Sequence, residues 1–163
     1  MKTKESLILI TFVIAVLFVV SPTLPVRSGN SVEKIDPARL DQLITDPGCG
    51  CMIAIMAAWC GPCRKELPIL ARLYDKYKSN GLKIIGISLD VEGPKAIQPI
   101  VDKAKVGFPV YWAGEKAVEK YGIDALPTLL VIKNGRIFER IIGKRSEKYL
   151  DKKIEELLSV EQP

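Results

Sequence analysis

A chain of 163 residues, 48% hydrophobic and 26% charged, is long enough for one domain with a hydrophobic core and short for two. The formal net charge is +5, and its basic residues are interspersed with acidic ones rather than gathered into a stripe, which argues against nucleic-acid binding. The chain contains no histidine. This excludes Cys-His proteases, His-ligated metal sites and copper chaperones that bind the metal through Cys and His.

The first 27 residues have the pattern of a targeting segment. Lys2 and Lys4 precede residues 7–20, in which every residue except Thr11 is apolar. Fourteen residues suit a signal peptide and fall short of the roughly 20 that a spanning helix needs. No Ala-x-Ala cleavage pattern follows, so a cleaved signal peptide and an uncleaved membrane anchor both stay open, with a slight preference for the anchor. Either would export a domain over residues 28–163 to an oxidising periplasmic or cell-envelope compartment, where cysteine pairs form disulfides.

The first predicted elements of the domain are two helices with a strand between them. A helix is predicted over residues 36–45, because Asp36 is a favoured N-cap and Pro37 a favoured first helical residue. Residues 52–57 form a short apolar run between turn residues, which is typical of a strand buried on both faces. A second helix is predicted over residues 62–78.

The rest of the chain alternates between β-rich and helical patterns. We predict strands over residues 83–89 and 108–112, a helix within residues 90–105, a short helix over 115–121, strands over 128–133 and 136–142, and a final amphipathic helix over 146–159. Asn134-Gly135, between the last two strands, is the favoured two-residue hairpin turn. This order predicts an α/β fold with a mixed central sheet and helices on both faces.

The segment Trp59-Cys60-Gly61-Pro62-Cys63 contains the residues that thiol-disulfide exchange requires. Exchange needs a thiolate nucleophile and a second thiol that resolves the mixed disulfide. Between a buried strand and a helix, Cys60 would lie at the helix N-terminus, where the backbone N–H groups and the dipole lower its pKa. Cys63, one turn further on, would be the buried resolving thiol. A structural disulfide or half of a zinc site is the alternative for a Cys-x-x-Cys pair.

The W-C-G-P-C motif, the later Leu126-Pro127-Thr128, and the final hairpin and helix resemble the thioredoxin superfamily. Residues 108–110 (Phe-Pro-Val) and 120–122 (Lys-Tyr-Gly) are similar to the exported TlpA/ResA-like branch, which carries an extra helix in the central insertion. The resemblance extends from about Val32 to the C-terminus. It implies a thioredoxin-like fold and a cis Leu126-Pro127 bond facing Cys60, with the backbone of Leu126 free to pair with a substrate chain.

The resemblance also implies the remaining parts of the site. Trp59, Gly61, Pro62, Leu126 and Pro127 would form the substrate-binding surface around Cys60 and Cys63. No dissociable cofactor and no metal would be required, because the Cys60–Cys63 disulfide itself carries the electrons.

The chain departs from the thioredoxin pattern at the proton acceptor. Thioredoxins usually place a buried Asp six residues before the first active-site cysteine, and this position is Ala54. Glu92, just after the second predicted strand, is the expected substitute, with Asp90 as a neighbour. A solvated loop carboxylate is the alternative for both residues, and more so for Asp90.

Cys49 and Cys51 form an additional Cys-x-Cys pair. If residues 52–57 form an extended strand, this pair lies on the order of 20 Å from Cys60, at about 3.3 Å per residue. Four sulfurs could not then bind one metal. Three interpretations remain open: a second redox pair acting with another molecule, a structural disulfide, and free thiols.

These observations predict an extracytoplasmic thiol-disulfide oxidoreductase that reduces disulfides of client proteins, because Gly-Pro between the cysteines is typical of reducing thioredoxins. The resemblance implies a membrane thiol electron donor and clients such as apocytochrome c. We expect a monomer, tethered through its N-terminus. A copper-binding module and a disulfide-forming oxidase are the alternatives.

Overall fold

A computed structural model describes residues 30–159 as a six-stranded sheet flanked by helices. The strands are β1 (Glu33–Lys34), β2 (Cys51–Met56), β3 (Lys83–Ser88), β4 (Val110–Trp112), β5 (Thr128–Lys133) and β6 (Arg136–Ile142). The α-helices are α1 (Pro37–Thr45), α2 (Gly61–Tyr77), α3 (Pro94–Lys103) and α4 (Glu147–Ser159), and 3₁₀ helices span Lys78–Asn80 and Glu115–Tyr121. The predicted targeting segment lies outside the described residues. Across residues 30–159, no helix combines the length and the apolar character needed to cross a membrane.

The sheet is mixed, as the sequence predicts. Its strand order is β1-β4-β3-β2-β5-β6. The pairs from β1 to β2 are parallel, and β5 runs antiparallel to both β2 and β6. The short edge strand β1 was not predicted, because its two residues are polar, exposed and too few to show a pattern.

Strand β2 lies at the centre of the core. All six of its residues are buried, which explains why the sequence there is continuously apolar rather than alternating. On one face of the sheet, Met52 and Ala54 belong to a buried cluster with apolar residues of α2, α3 and α4. On the other face, Ile53 and Ile55 pack with residues of α1 and the Glu115–Tyr121 helix.

The predicted elements are confirmed, with shifts at their ends. β2 begins and ends one residue earlier than expected, and the predicted strand over residues 108–112 is reduced to its last three. Asn134 and Gly135 have φ values of 51° and 66°, as the predicted hairpin turn requires. Because β2 and β3 are parallel, the loops that follow them leave the sheet at the same end of these strands, where Ala58 and Asp90 are in contact.

Candidate active site

The Cys60–Cys63 disulfide lies where β2 leads into α2. Cys60 is the N-cap of α2, and its Sγ accepts a hydrogen bond from the backbone N–H of Cys63 at 3.1 Å. The unpaired N–H groups of a helix N-terminus favour negative charge, so this position stabilises a thiolate at Cys60 once the disulfide is reduced.

Solvent exposure does not distinguish the two cysteines in the disulfide form. We expected Cys63 to be the buried thiol of the pair, yet Cys60 and Cys63 are each 4% exposed. The helix terminus, rather than exposure, is therefore the feature that sets Cys60 apart in this structure. The preceding Trp59 is 61% exposed and stands at the surface beside the disulfide instead of packing under it.

Asp90 fixes the loop that carries Trp59 and Cys60. Its carboxylate is fully buried and accepts the N–H of Ala58 at 2.8 and 3.1 Å and the hydroxyl of Ser88 at 2.7 Å. From the sequence, Asp90 was expected to be a neighbour of Glu92, and a solvated loop carboxylate was the favoured alternative for it. The structure corrects that interpretation, because Asp90 satisfies a backbone donor next to the active-site turn.

Glu92 is exposed on the loop between β3 and α3 and is not among the residues that line the cavity behind Cys63. A different carboxylate occupies that place. Glu66 is 2% exposed and lines the same small cavity as Cys63, Ala54 and Pro127. The structure therefore favours Glu66 over Glu92 as the acid next to the resolving cysteine.

The environment of Glu66 perturbs its ionisation. Burial raises the pKa of the Glu66 carboxyl above its ordinary value. A hydrogen bond from the backbone N–H of Arg145, at 2.7 Å, and the positive charges of Lys144 and Arg145 oppose this rise. A carboxyl with a raised pKa, close to a thiol that must lose its proton, is suited to proton transfer.

The position of Glu66 has a sequence signal that we did not use. Residues three apart on a helix share a face, so a residue three positions after Cys63 faces the same way as Cys63. Leu67 and Leu70 define that face as the buried one. A glutamate on the apolar face of α2 was therefore a candidate. Its carboxyl lines the same cavity as Ala54, the position at which thioredoxins carry a carboxylate on the strand.

The Leu126-Pro127 bond is cis, as the resemblance implied. Pro127 lines the cavity next to Cys63, and its carbonyl accepts the N–H of Gly143 at 2.8 Å. Strand β5 enters the sheet only at Thr128, so Leu126 is paired with neither neighbouring strand. Leu126 lines the grooves on both sides of the site.

The second cysteine pair forms its own disulfide. Cys49 and Cys51 are joined and are 6% and 0% exposed, at the start of β2. Cys60 follows the opposite end of the same strand, so the two disulfides lie at opposite edges of the sheet. The structure thus contains neither free thiols at these positions nor, within residues 30–159, a cluster of three or more His, Cys, Asp or Glu side chains placed to bind a metal ion.

Residues 25–140 match the model of the AhpC/TSA family. The chain belongs to the AhpC/TSA family. Its relatives include the thiol-disulfide oxidoreductase ResA of Bacillus anthracis, which is 37% identical over 106 residues, or 64% of this chain and 61% of that protein. ResA of Oceanobacillus iheyensis is 34% identical over 126 residues, or 73% of this chain and 64% of that protein. The chain thus spans about three-fifths of the length of these curated relatives.

Solved structures confirm the thioredoxin-like fold of this AhpC/TSA family member. A thiol:disulfide interchange protein of the thioredoxin family from Chlorobium tepidum TLS superposes with a TM-score of 0.59 at 27% identity, over 66% of this chain and 78% of that one. StoA from Bacillus subtilis superposes with a TM-score of 0.55 at 24% identity, over 65% and 84% of the two chains. With the ResA relatives, these likenesses confirm the predicted resemblance to the thioredoxin superfamily and its ResA-like members.

Proposed function

We propose that this protein is an extracytoplasmic thiol-disulfide oxidoreductase that reduces disulfides of client proteins through Cys60 and Cys63. The observation that carries the proposal is the Cys60–Cys63 disulfide at the N-terminus of α2, with the buried Glu66 carboxyl lining the cavity behind it. The ResA relatives, described as thiol-disulfide oxidoreductases, support the same class of reaction.

The reaction begins with the dithiol form of the protein. The Cys60 thiolate attacks one sulfur of a client disulfide, forming a mixed disulfide and releasing the other client sulfur as a thiolate, which takes a proton from solvent. The first turn of α2 stabilises the thiolate before the attack. Asp90 holds the N–H of Ala58 and so fixes the loop that presents Cys60.

Cys63 then resolves the mixed disulfide. Its thiol gives its proton to the Glu66 carboxylate, and the resulting thiolate attacks the Cys60 sulfur. The Cys60–Cys63 disulfide forms while the second client sulfur leaves as a thiolate. The client gains two electrons, the protein loses two, and no dissociable cofactor takes part. Pro127 and the backbone of Leu126 bound the groove in which the client chain lies.

The protein would need a donor that returns it to the dithiol form. The TlpA/ResA-like resemblance supports a membrane thiol protein as that donor and apocytochrome c as one client. The N-terminal apolar segment supports export and a membrane tether for a monomeric domain.

The experiment that tests the proposal is a single turnover with a small neutral disulfide. Pre-reduced protein is mixed with bis(2-hydroxyethyl) disulfide, and released thiol is followed with time. We expect two thiols per protein and a Cys60–Cys63 disulfide in the product. Because the helix terminus raises the thiolate fraction, the rate per thiol should exceed that of free cysteine by about tenfold or more at neutral pH. A rate no greater than that of free cysteine would contradict the proposed function.

A further inference from the structure

Two open grooves flank the active-site disulfide, and their charges are opposite. The first groove, of about 740 Å³, is bounded by Gly61, Pro62 and Pro127. Every charged residue that lines it is basic, namely Arg64, Lys65, Lys103 and Lys144. We call this surface the basic groove.

The second groove, of about 490 Å³, shares Leu126 and no other lining residue with the first. The exposed ring of Trp59 forms one of its walls, together with Leu89 and Ile123. Every charged residue that lines it is acidic, namely Glu115, Glu119 and Asp124. We call this surface the acidic groove.

None of these seven side chains forms a salt bridge or a side-chain hydrogen bond within the described part of the chain, although the charge of Lys144 also acts on the buried Glu66 carboxyl. All seven side chains are exposed. The salt bridges formed among residues 30–159 involve other side chains, including the nearby Lys120, which pairs with Asp41 instead of with the acidic groove. Unneutralised charges of one sign in a groove concentrate ligands of the opposite sign and speed their association.

Leu126 joins the two surfaces, because it lines both grooves. An extended chain that pairs with the backbone of Leu126 and presents its sulfur to Cys60 would therefore extend into one groove on each side of the reacting cysteine. Its flanking residues would meet positive charge on one side and negative charge on the other.

We propose that the two grooves select clients by charge: a preferred client carries acidic residues on one side of its reacting cysteine and basic residues on the other. This inference rests on the proposed function, because it names the substrate class of the same site. The selectivity acts on association and is reduced by salt, since all of the charges are exposed.

The test uses three peptides of equal length with a central cysteine, each as its mixed disulfide with 2-mercaptoethanol. One has acidic residues before the cysteine and basic residues after it, the second has the reverse order, and the third has serines at those positions. Pre-reduced protein supplies two electrons to each, releasing the peptide thiol and 2-mercaptoethanol and forming Cys60–Cys63. Peptide thiol is quantified by chromatography after acid quenching, at low salt and in 0.5 M NaCl.

We expect the two charged peptides, which have the same composition, to differ in second-order rate constant by about fivefold or more at low salt. The difference should disappear in 0.5 M NaCl. A charge-reversed variant combines Arg64→Glu, Lys65→Glu and Lys103→Glu with Glu119→Lys and Asp124→Lys, which makes the basic groove net negative and the acidic groove net positive. In this variant the preferred order should reverse when each rate is divided by that of the serine peptide.

Equal rates for the two charged peptides at low salt, or a preference that the charge-reversed variant retains, would overturn the inference. If the serine peptide reacts in that case, the proposed function stands and only the charge selection fails. If the serine peptide and bis(2-hydroxyethyl) disulfide both fail to react with the wild-type protein, the proposed function falls and the inference falls with it.

Discussion

Replacing Cys60 with serine is expected to abolish disulfide reduction, with a loss of about a thousandfold or more, whereas Cys63→Ser should stop the reaction halfway. A serine hydroxyl does not ionise near neutral pH, so Cys60→Ser leaves no nucleophile at the helix N-terminus. Cys63→Ser retains that nucleophile and loses only the resolving thiol. After mixing with bis(2-hydroxyethyl) disulfide, its mass should increase by one 2-mercaptoethanol group, attached to Cys60.

A matched control comes from the second disulfide. Cys49→Ser combined with Cys51→Ser removes two sulfurs at the opposite end of β2, one more than either active-site variant, and should leave the single-turnover rate within about twofold of the wild type. If the mixed disulfide forms instead on Cys63 in the Cys60→Ser protein, the roles of the two active-site cysteines are reversed from those proposed.

Glu66→Gln is expected to slow the resolving step by about tenfold to a hundredfold near neutral pH, because general-base catalysis of a proton transfer commonly contributes at least this much. In the wild type, the rate of resolution should rise with pH as the Glu66 carboxyl ionises, above its ordinary pKa of 4.5 because burial raises it. The pH profile of the Glu66→Gln variant should lack this rise. The variant's rate should rise only at the higher pH at which thiols ionise. Rapid-quench mass spectrometry of the mixed disulfide measures both profiles.

The same substitution should raise the free energy of unfolding at neutral pH. A carboxyl whose pKa is higher in the folded protein than in the unfolded chain stabilises the fold fully below its unfolded pKa, and this contribution is lost as pH rises through the folded pKa. Glutamine stays neutral and can still accept the N–H of Arg145 through its amide oxygen. In urea unfolding of the oxidised proteins, the wild type and Glu66→Gln should have the same pH dependence of the unfolding free energy at low pH. Above the pKa of Glu66 in the folded protein, the variant should be the more stable of the two. If Glu66→Gln resolves the mixed disulfide more slowly and is also more stable, the lower rate results from lost proton transfer and not from structural damage.

Glu92→Gln is the matched control for Glu66→Gln. It makes the same chemical change on an exposed loop residue, so both the rate and the pH profile should stay those of the wild type. A tenfold loss of rate in Glu92→Gln, together with an unchanged rate in Glu66→Gln, would identify Glu92 as the proton acceptor.

The fold could be predicted largely because its local signals agree. The N-cap pair Asp36-Pro37, the continuous apolar stretch of β2 and the Asn134-Gly135 turn each determine one element, and together they allow only a few arrangements. Strand β1 could not be predicted in this way. Its pairing with β4 depends on the tertiary structure, and neither Glu33 nor Lys34 has a buried side chain that would produce a pattern.

The parts of the candidate site that belong to short sequence motifs could be predicted. Cys60, Cys63 and Pro127 follow from motifs with a fixed local geometry. The acid does not follow in this way. Glu92 was chosen because it comes just after the second predicted strand, and within two residues of that loop the chain passes from the buried Asp90 to the exposed Glu92. Glu66 could have been predicted only from its position on the buried face of α2, because thioredoxins carry their acid on the strand instead.

The measurement that tests the central claim most directly is the reduction potential of the Cys60–Cys63 pair. Protein is equilibrated with thiol-disulfide buffers of known ratio and then alkylated, and the Cys60–Cys63 peptide is quantified separately from the Cys49–Cys51 peptide. For a reductase with Gly-Pro between its cysteines we predict a value near that of thioredoxin, about −270 mV, against about −120 mV for a strong oxidant. That gap of about 150 mV is equivalent to about 7 kcal/mol for two electrons. A potential above about −180 mV would contradict the account, since the pair would then accept electrons from client thiols instead of donating them to client disulfides.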